Sequence, residues 1–206
     1  MPKAPPSPSQ QASFDIYKTL HEWNNIEEDI AHFKGEIKTE LFIGAYRQLA
    51  SFFSICGSGF TFVTSDITAK LKLIEKCNHE RDAPNGNDTL QSMVTYEKQN
   101  GLLKNDKKNG SRNLLRLNRA LQFIGFLIRG LLDSDRPTHL VALDAYNDSL
   151  APFHSWAIRK TVGFAVYAIP SKDILLKRME ITEDEAFVSF PQLSDLLLKT
   201  YQTLYK

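Results

Sequence analysis

Three sets of polar residues interrupt otherwise apolar helical patterns, and each has the chemistry to hold an anionic or hydrogen-bonding group. Along a helix starting near Phe60, successive side chains advance by about 100°. With Phe62 at about 0°, Val63, Ile67, Leu73 and Ile74 fall between about 20° and about 140°, which makes a coherent apolar face. Asp66 at about 40° and Lys70 at about 80° land in the middle of that face, four residues apart and able to meet. A carboxylate and an ammonium turned inward must pair or face a polar ligand, because an unmatched buried charge is expensive. An internal salt bridge and a ligand site both satisfy that requirement.

The second set is a row of arginines. In the stretch from Arg112, residues Leu114, Leu117, Leu121, Ile124 and Ile128 make one apolar stripe, and Arg112, Arg116 and Arg119 lie opposite it. One turn later the opposite side turns apolar through Phe123, Phe126 and Leu127. Guanidinium groups at the edge of a region buried on both sides describe a pocket mouth, and their forked donors suit phosphate or carboxylate. A solvated arginine row on an ordinary amphipathic helix is the plainer reading. The third set is His154, one turn ahead of a stripe formed by Ile158, Val162, Ala165 and Ile169. A lone histidine there is either a ligand-binding group or a satisfied core or capping residue. Trp156 fits a core position or a membrane interface equally well. Arg159 and Lys160 beside it fit anionic headgroups or a solvated face. Together, Asp66, Lys70, the arginines and His154 suit an amphiphile with an anionic, hydrogen-bonding head and a hydrocarbon tail.

The elements that must position these groups are helical. Period-3.6 patterns dominate and strand-like alternation is scarce. Helices are predicted over about Ser13–Phe33, Lys38–Ile55, Phe60–Cys77, Thr89–Lys104, Arg112–Leu132, Thr138–Leu150, Pro152–Ile169 and Ser171–Met179, followed by a short piece after Thr182 and a last helix over Gln192–Tyr205. Gly57-Ser58-Gly59 and Pro84-Asn85-Gly86-Asn87 mark breaks, Ser111 is a predicted N-cap, and Thr182 with Glu185 reads as a capping box. The fold class is therefore all-α, in one domain over residues 13–206 behind a Pro/Ser/Gln-rich tail over residues 1–12.

Composition narrows the function classes. The chain of 206 residues has 25 Lys+Arg against 24 Asp+Glu, a net charge of +1, unlike a dedicated nucleic-acid binder. Two cysteines, Cys56 and Cys77, are too few for a disulfide framework and imply reduced thiols in a cytoplasmic protein. The N-terminus lacks the apolar core of a signal peptide. The most apolar stretch, Ala120 to Leu132, is about half of the ~20 residues a membrane span needs, and Arg129 interrupts it. No metal-ligand cluster, P-loop or nucleophile elbow is present, so neither metal nor cofactor is expected.

The stretches FFSICGSGFTFVTSDITAKL, SRNLLRLNRALQFI and DAYNDSLAPFHSWAIRKTVGFAVYAIP, in that order, resemble the glycolipid transfer protein family, specifically the branch that carries ceramide-1-phosphate. The likeness runs from about Ser13 to the C-terminus. It implies a two-layer helical sandwich enclosing a sphingolipid. By the same resemblance Asp66 accepts from the ceramide amide N–H and His154 donates to the amide carbonyl, while Lys70, Arg112 and Arg116 hold the phosphate. Where this chain has Lys70 and Arg116, the glycolipid branch carries Asn and a sugar-stacking Trp. A cationic pair suits a phosphate, whereas a neutral sugar would leave both charges unmatched. Ser155 stands where relatives often carry another small or turn-forming residue. Arg119 is expected in a supporting ion pair. Phe52, Phe53, Phe60, Phe62, Ile67, Leu121, Phe123 and Val162 are the candidate lining of the chain pocket, and Trp156, Arg159 and Lys160 the candidate membrane contacts.

The expected function is a monomeric, non-enzymatic carrier that touches membranes transiently and moves ceramide-1-phosphate. Its competitors are a glycolipid or other sphingolipid binder or sensor, and an enzyme on phosphate esters using Asp66 and His154 as acid and base. A helical scaffold for acidic partners is a further competitor.

Overall fold

A computed structural model describes residues 14–80, 88–104, 108–132 and 136–205. The expectations for residues 1–12 and for the Pro84–Asn87 turn lie outside the described residues. Where a short polar side chain precedes an apolar-periodic run, a helix starts. The Asp15 carboxylate accepts from the Lys18 N–H at 2.9 Å and caps α1 (Ile16–His32), which buries Ile16, Leu20, Trp23 and Ile26 on one face. Helix α2 (Thr39–Ala50) follows. The single helix expected over 38–55 then breaks at Ser51, whose hydroxyl donates to the Gln48 carbonyl at 2.6 Å, and a short turn, α3 (Phe52–Ile55), ends the segment. Gly57 at φ 113° makes the turn into α4 (Thr61–His79), a conformation that favours glycine.

Helix α5 (Leu90–Gln99) is closed at its start by a box between Thr89 and Ser92. Helix α6 (Gly110–Gly130) is capped by Asn109, which accepts from the Arg112 N–H at 2.8 Å. The expected cap, Ser111, instead lies inside the helix and donates to Glu97. Helix α7 (Thr138–Ser149) leads to the largest departure from expectation. The run expected over 152–169 is interrupted: a 3-10 turn at Ala151–Phe153, extended backbone at His154, then α8 (Trp156–Ala165) capped by Ser155, then a second 3-10 turn. Ser155 thus has a definite local role. Helix α9 (Lys172–Met179) precedes α10 (Glu183–Tyr205), which absorbs both pieces expected there. The Thr182–Glu185 box forms as read. Pro191 stands inside α10 and leaves the Phe187 carbonyl without its usual helical donor, on a turn where Phe187 is exposed to water.

Helix α6 is the hub, packing against α4, α5, α7 and α10, and the circuit closes through α10 on α1, α1 on α2 and α2 on α4. Gly125 permits the α6–α10 approach: a Cβ there would lie 3.1 Å from Leu198. At the centre Trp23, Phe42 and Tyr46 pack with ring centroids 5.3 to 6.3 Å apart. The Tyr46 hydroxyl donates across the core to the Leu117 carbonyl at 2.8 Å and joins α2 to α6. No helix among the described residues is long and apolar enough to cross a membrane.

Burial predicts a sharp contrast between two phenylalanines. Phe42→Ala, fully buried, should lower unfolding free energy by about 3–5 kcal/mol. Phe164→Ala, on exposed α8, should stay within about 0.5 kcal/mol. Urea denaturation measures both, and equal losses would contradict the assignment of core and surface.

Candidate functional site

The buried face of α4 is Ile67, Leu71, Ile74 and Asn78. That face is rotated away from the one expected, and Phe62 is 57% exposed instead of lining a pocket. Asp66 and Lys70 consequently sit on the flank of the buried face and not in its middle. They form an ion pair, with the Asp66 side chain 64% exposed and the Lys70 side chain 14% exposed. Lys70 is thus tucked in while its partner faces outward. Asp66 is also close enough to the core to be felt by Tyr46, whose phenol is held far above its usual range mainly by burial and secondarily by the Asp66 charge.

On α6, the buried stripe is Leu114, Leu117, Leu121, Ile124 and Ile128, as read from the sequence. Arg112 and Arg116 are exposed, and Arg116 makes no hydrogen bond or ion pair among the described residues. Arg119 is half-buried, and the ion pair expected for it is absent among the described residues. Its guanidinium carbon lies 3.5 Å from the centre of the Phe153 ring instead. The Arg119 Nε is buried without a hydrogen-bond partner among the described residues. The start of α6 is held by the buried carboxylate of Glu97, which accepts from the Gly110 N–H at 2.6 Å, the Ser111 N–H at 2.8 Å and the Ser111 hydroxyl at 2.5 Å. A negative group at a helix N-terminus is favourable, and this one fixes the turn from which Arg112 projects.

His154 is not on a helix face. Its backbone is extended between two helical segments, and its Nδ1 lies 2.8 Å from the Tyr146 hydroxyl on α7. Burial, then the nearby Arg119 charge, holds its imidazole below the ordinary histidine range. The ring is therefore neutral at neutral pH. Asp66 pairs with Lys70 on α4, while the His154 imidazole, on the segment between α7 and α8, feels the Arg119 charge from α6. Phe52, Phe53, Phe60, Ile67 and Leu121 are buried in the common core, and Phe123 and Val162 pack partly buried against it.

Tyr146, Phe153 and Glu97 escaped the sequence reading. No periodicity links Tyr146 to His154, because helix α7 ends between them. Helix α8 buries none of its residues. Trp156 is 69% and Phe164 79% exposed, so Trp156 is not a core residue. With Arg159, Lys160, Gly163 and Tyr167 they line an open surface cleft.

Residues 37–180 match the profile of the glycolipid transfer protein family. The chain belongs to that family. It is 34% identical to the mouse ceramide-1-phosphate transfer protein over 166 residues, which is 75% of this chain and 76% of that one. It is 36% identical to the zebrafish protein of the same name over 147 residues, 67% and 68% of the two chains. The crystal structure of the mouse protein without lipid superposes with a TM-score of 0.81 at 30% identity, covering 93% of this chain and 95% of that one. The human protein in complex with 12:0 ceramide-1-phosphate gives a TM-score of 0.80 at 27% identity, with the same coverage. The all-α sandwich expected from the resemblance is thus the fold observed, and members of this fold hold lipid.

The Arg119 charge should be visible in the titration of His154. Arg119→Met should raise the imidazole midpoint, followed by NMR, toward the ordinary value of about 6.5. An unchanged midpoint would contradict the electrostatic coupling.

Proposed function

We propose that this protein is a non-enzymatic carrier that binds ceramide-1-phosphate and moves it between membranes. The observation that carries this reading is the near-burial of the Lys70 side chain on α4, which packs against the helix that presents Arg116, together with the kinship to ceramide-1-phosphate transfer proteins. Lys70 is already half-desolvated and held by Asp66, and Arg116 is unpartnered among the described residues. An arriving phosphate supplies a counter-charge to Arg116 and a second one to Lys70, with Arg112 completing the set. A neutral sugar supplies none, and Arg116 offers no flat aromatic face for one to stack on.

The amide end of the lipid finds complementary groups. The exposed Asp66 carboxylate accepts from the amide N–H without breaking its bond to Lys70, since a carboxylate has several acceptor sites. His154, neutral, donates to the amide carbonyl. The hydrocarbon chains insert among Phe52, Phe53, Phe60, Ile67 and Leu121, with Phe123 and Val162 at the margin. Their burial, worth about 25 cal/mol per Å², supplies most of the affinity. No bond is made or broken in this cycle, so incubation with the lipid should release no inorganic phosphate.

Membrane contact falls to α8. Its Trp156 and Phe164 are exposed, and Arg159 and Lys160 stand beside them, Lys160 Nζ lying 5.8 Å from the Trp156 ring. An amphipathic aromatic and a few cations give weak, reversible attachment to an anionic leaflet. A cytosolic monomer built on residues 13–206 suffices for this cycle.

Charge-assisted hydrogen bonds are worth about 1.5–3 kcal/mol each, or roughly 10- to 150-fold. Arg116→Leu and Lys70→Ala should each reduce intervesicle transfer of fluorescent ceramide-1-phosphate by at least about tenfold with helical circular dichroism unchanged. Transfer at the wild-type rate would overturn the headgroup assignment. Trp156→Ala should leave lipid binding in detergent intact yet weaken sedimentation with anionic vesicles. The reverse pattern would place Trp156 in the lipid site.

A further inference from the structure

The contact between Tyr146 and His154 does more than fill space. Tyr146 is buried on α7, and its hydroxyl has one hydrogen-bond partner among the described residues, the His154 Nδ1 at 2.8 Å. The rings lie 5.6 Å apart, tilted by 42°, close enough to restrict rotation of the imidazole. The His154 backbone N–H is separately fixed on the Ala151 carbonyl at 3.2 Å. A buried hydroxyl seeks an acceptor, and burial holds the Tyr146 phenol above its usual range, so the proton stays on its oxygen. The charged groups felt by the pair are Arg119 from α6, acting on His154, and Arg159 from α8, acting on Tyr146. Both are cations, and the Arg119 charge disfavours an imidazolium. In a neutral imidazole one nitrogen accepts and the other donates. If Nδ1 accepts from Tyr146, the proton of the ring must be on Nε2.

We propose that Tyr146 is a positioning residue that holds His154 as the Nε2–H tautomer and aims that N–H at the amide carbonyl of the bound sphingolipid. This rests on the amide-binding reading of His154. Without the hydroxyl, the ring is free to flip and to exchange its proton between nitrogens, and only part of the population presents a donor in the right direction. Two features follow that a merely structural tyrosine would not produce. The effect is confined to the neutral imidazole, because an imidazolium carries a proton on both nitrogens and has no tautomer to select. The effect is also removed with the hydroxyl alone, the ring being kept.

The test compares wild type, Tyr146→Phe and His154→Ala in vesicle-to-vesicle transfer of ceramide-1-phosphate across pH, with nitrogen-15 NMR of the His154 ring. Wild type should show a single Nε2–H imidazole. Tyr146→Phe should shift the ring nitrogens toward a tautomer mixture and slow transfer about fivefold at neutral pH, the size expected for one net hydrogen bond. The gap to wild type should close as pH falls through the His154 titration. A wild-type Nδ1–H tautomer would overturn the proposal, as would a Tyr146→Phe variant matching wild type in both shifts and rate. So would a deficit that persists once His154 is protonated, which marks a packing defect. His154→Ala separates the two levels. If it transfers at full rate, the amide-binding role of His154 fails. If it is slow while Tyr146→Phe is normal, only the positioning role fails.

Discussion

Helix α6 has to meet two solvents at once, and the rest of the structure follows from that constraint. One side must be apolar enough to serve as the hub for α4, α7 and α10. The other must keep Arg112, Arg116 and Arg119 hydrated or matched, since a guanidinium cannot lose its charge and is costly to desolvate alone. The chain meets both demands by ordering residues along the helix. Opposite the buried stripe, arginines occupy the first half, and Phe123, Phe126 and Leu127, buried or partly buried, the second. Glu97 anchors the N-terminal turn, while Tyr46 and Ser194 bond the Leu117 and Gly125 carbonyls and fix the helix from the core side. The boundary between charge and hydrocarbon is thereby held in place, and that boundary matches the form of a lipid with an anionic head.

Two of the cations beside this boundary find counterparts within the fold. Lys70 is satisfied by Asp66, and Arg119 spreads its charge over the Phe153 ring.

Long periodic segments were legible because burial imposes their pattern. The α6 stripe and the Thr182–Glu185 capping box both stand where the sequence put them. The α4 wheel places Phe62 inward, whereas the buried face runs through Ile67, Leu71, Ile74 and Asn78 and leaves Phe62 exposed. The segment after α7 misled for a different reason. Ile158, Val162, Ala165 and Ile169 keep helical spacing, yet α8 projects from the core and buries none of its residues. Apolar periodicity reports an apolar environment, and a membrane surface imposes it as well as a core does. The pairing of His154 with Tyr146 has no signal in the sequence, because contacts across the end of a helix follow no spacing rule.

The central claim is that cations at the edge of the core select a phosphate headgroup. The most direct measurement is the wild-type affinity for ceramide-1-phosphate against ceramide and a monoglycosylceramide of the same acyl chain, by competition on native mass spectrometry. The account predicts preference for the phosphate by at least about two orders of magnitude, as two or more charge-assisted contacts imply, and a preference that shrinks as salt rises. Equal affinity for the three lipids, or preference for the sugar, would contradict it.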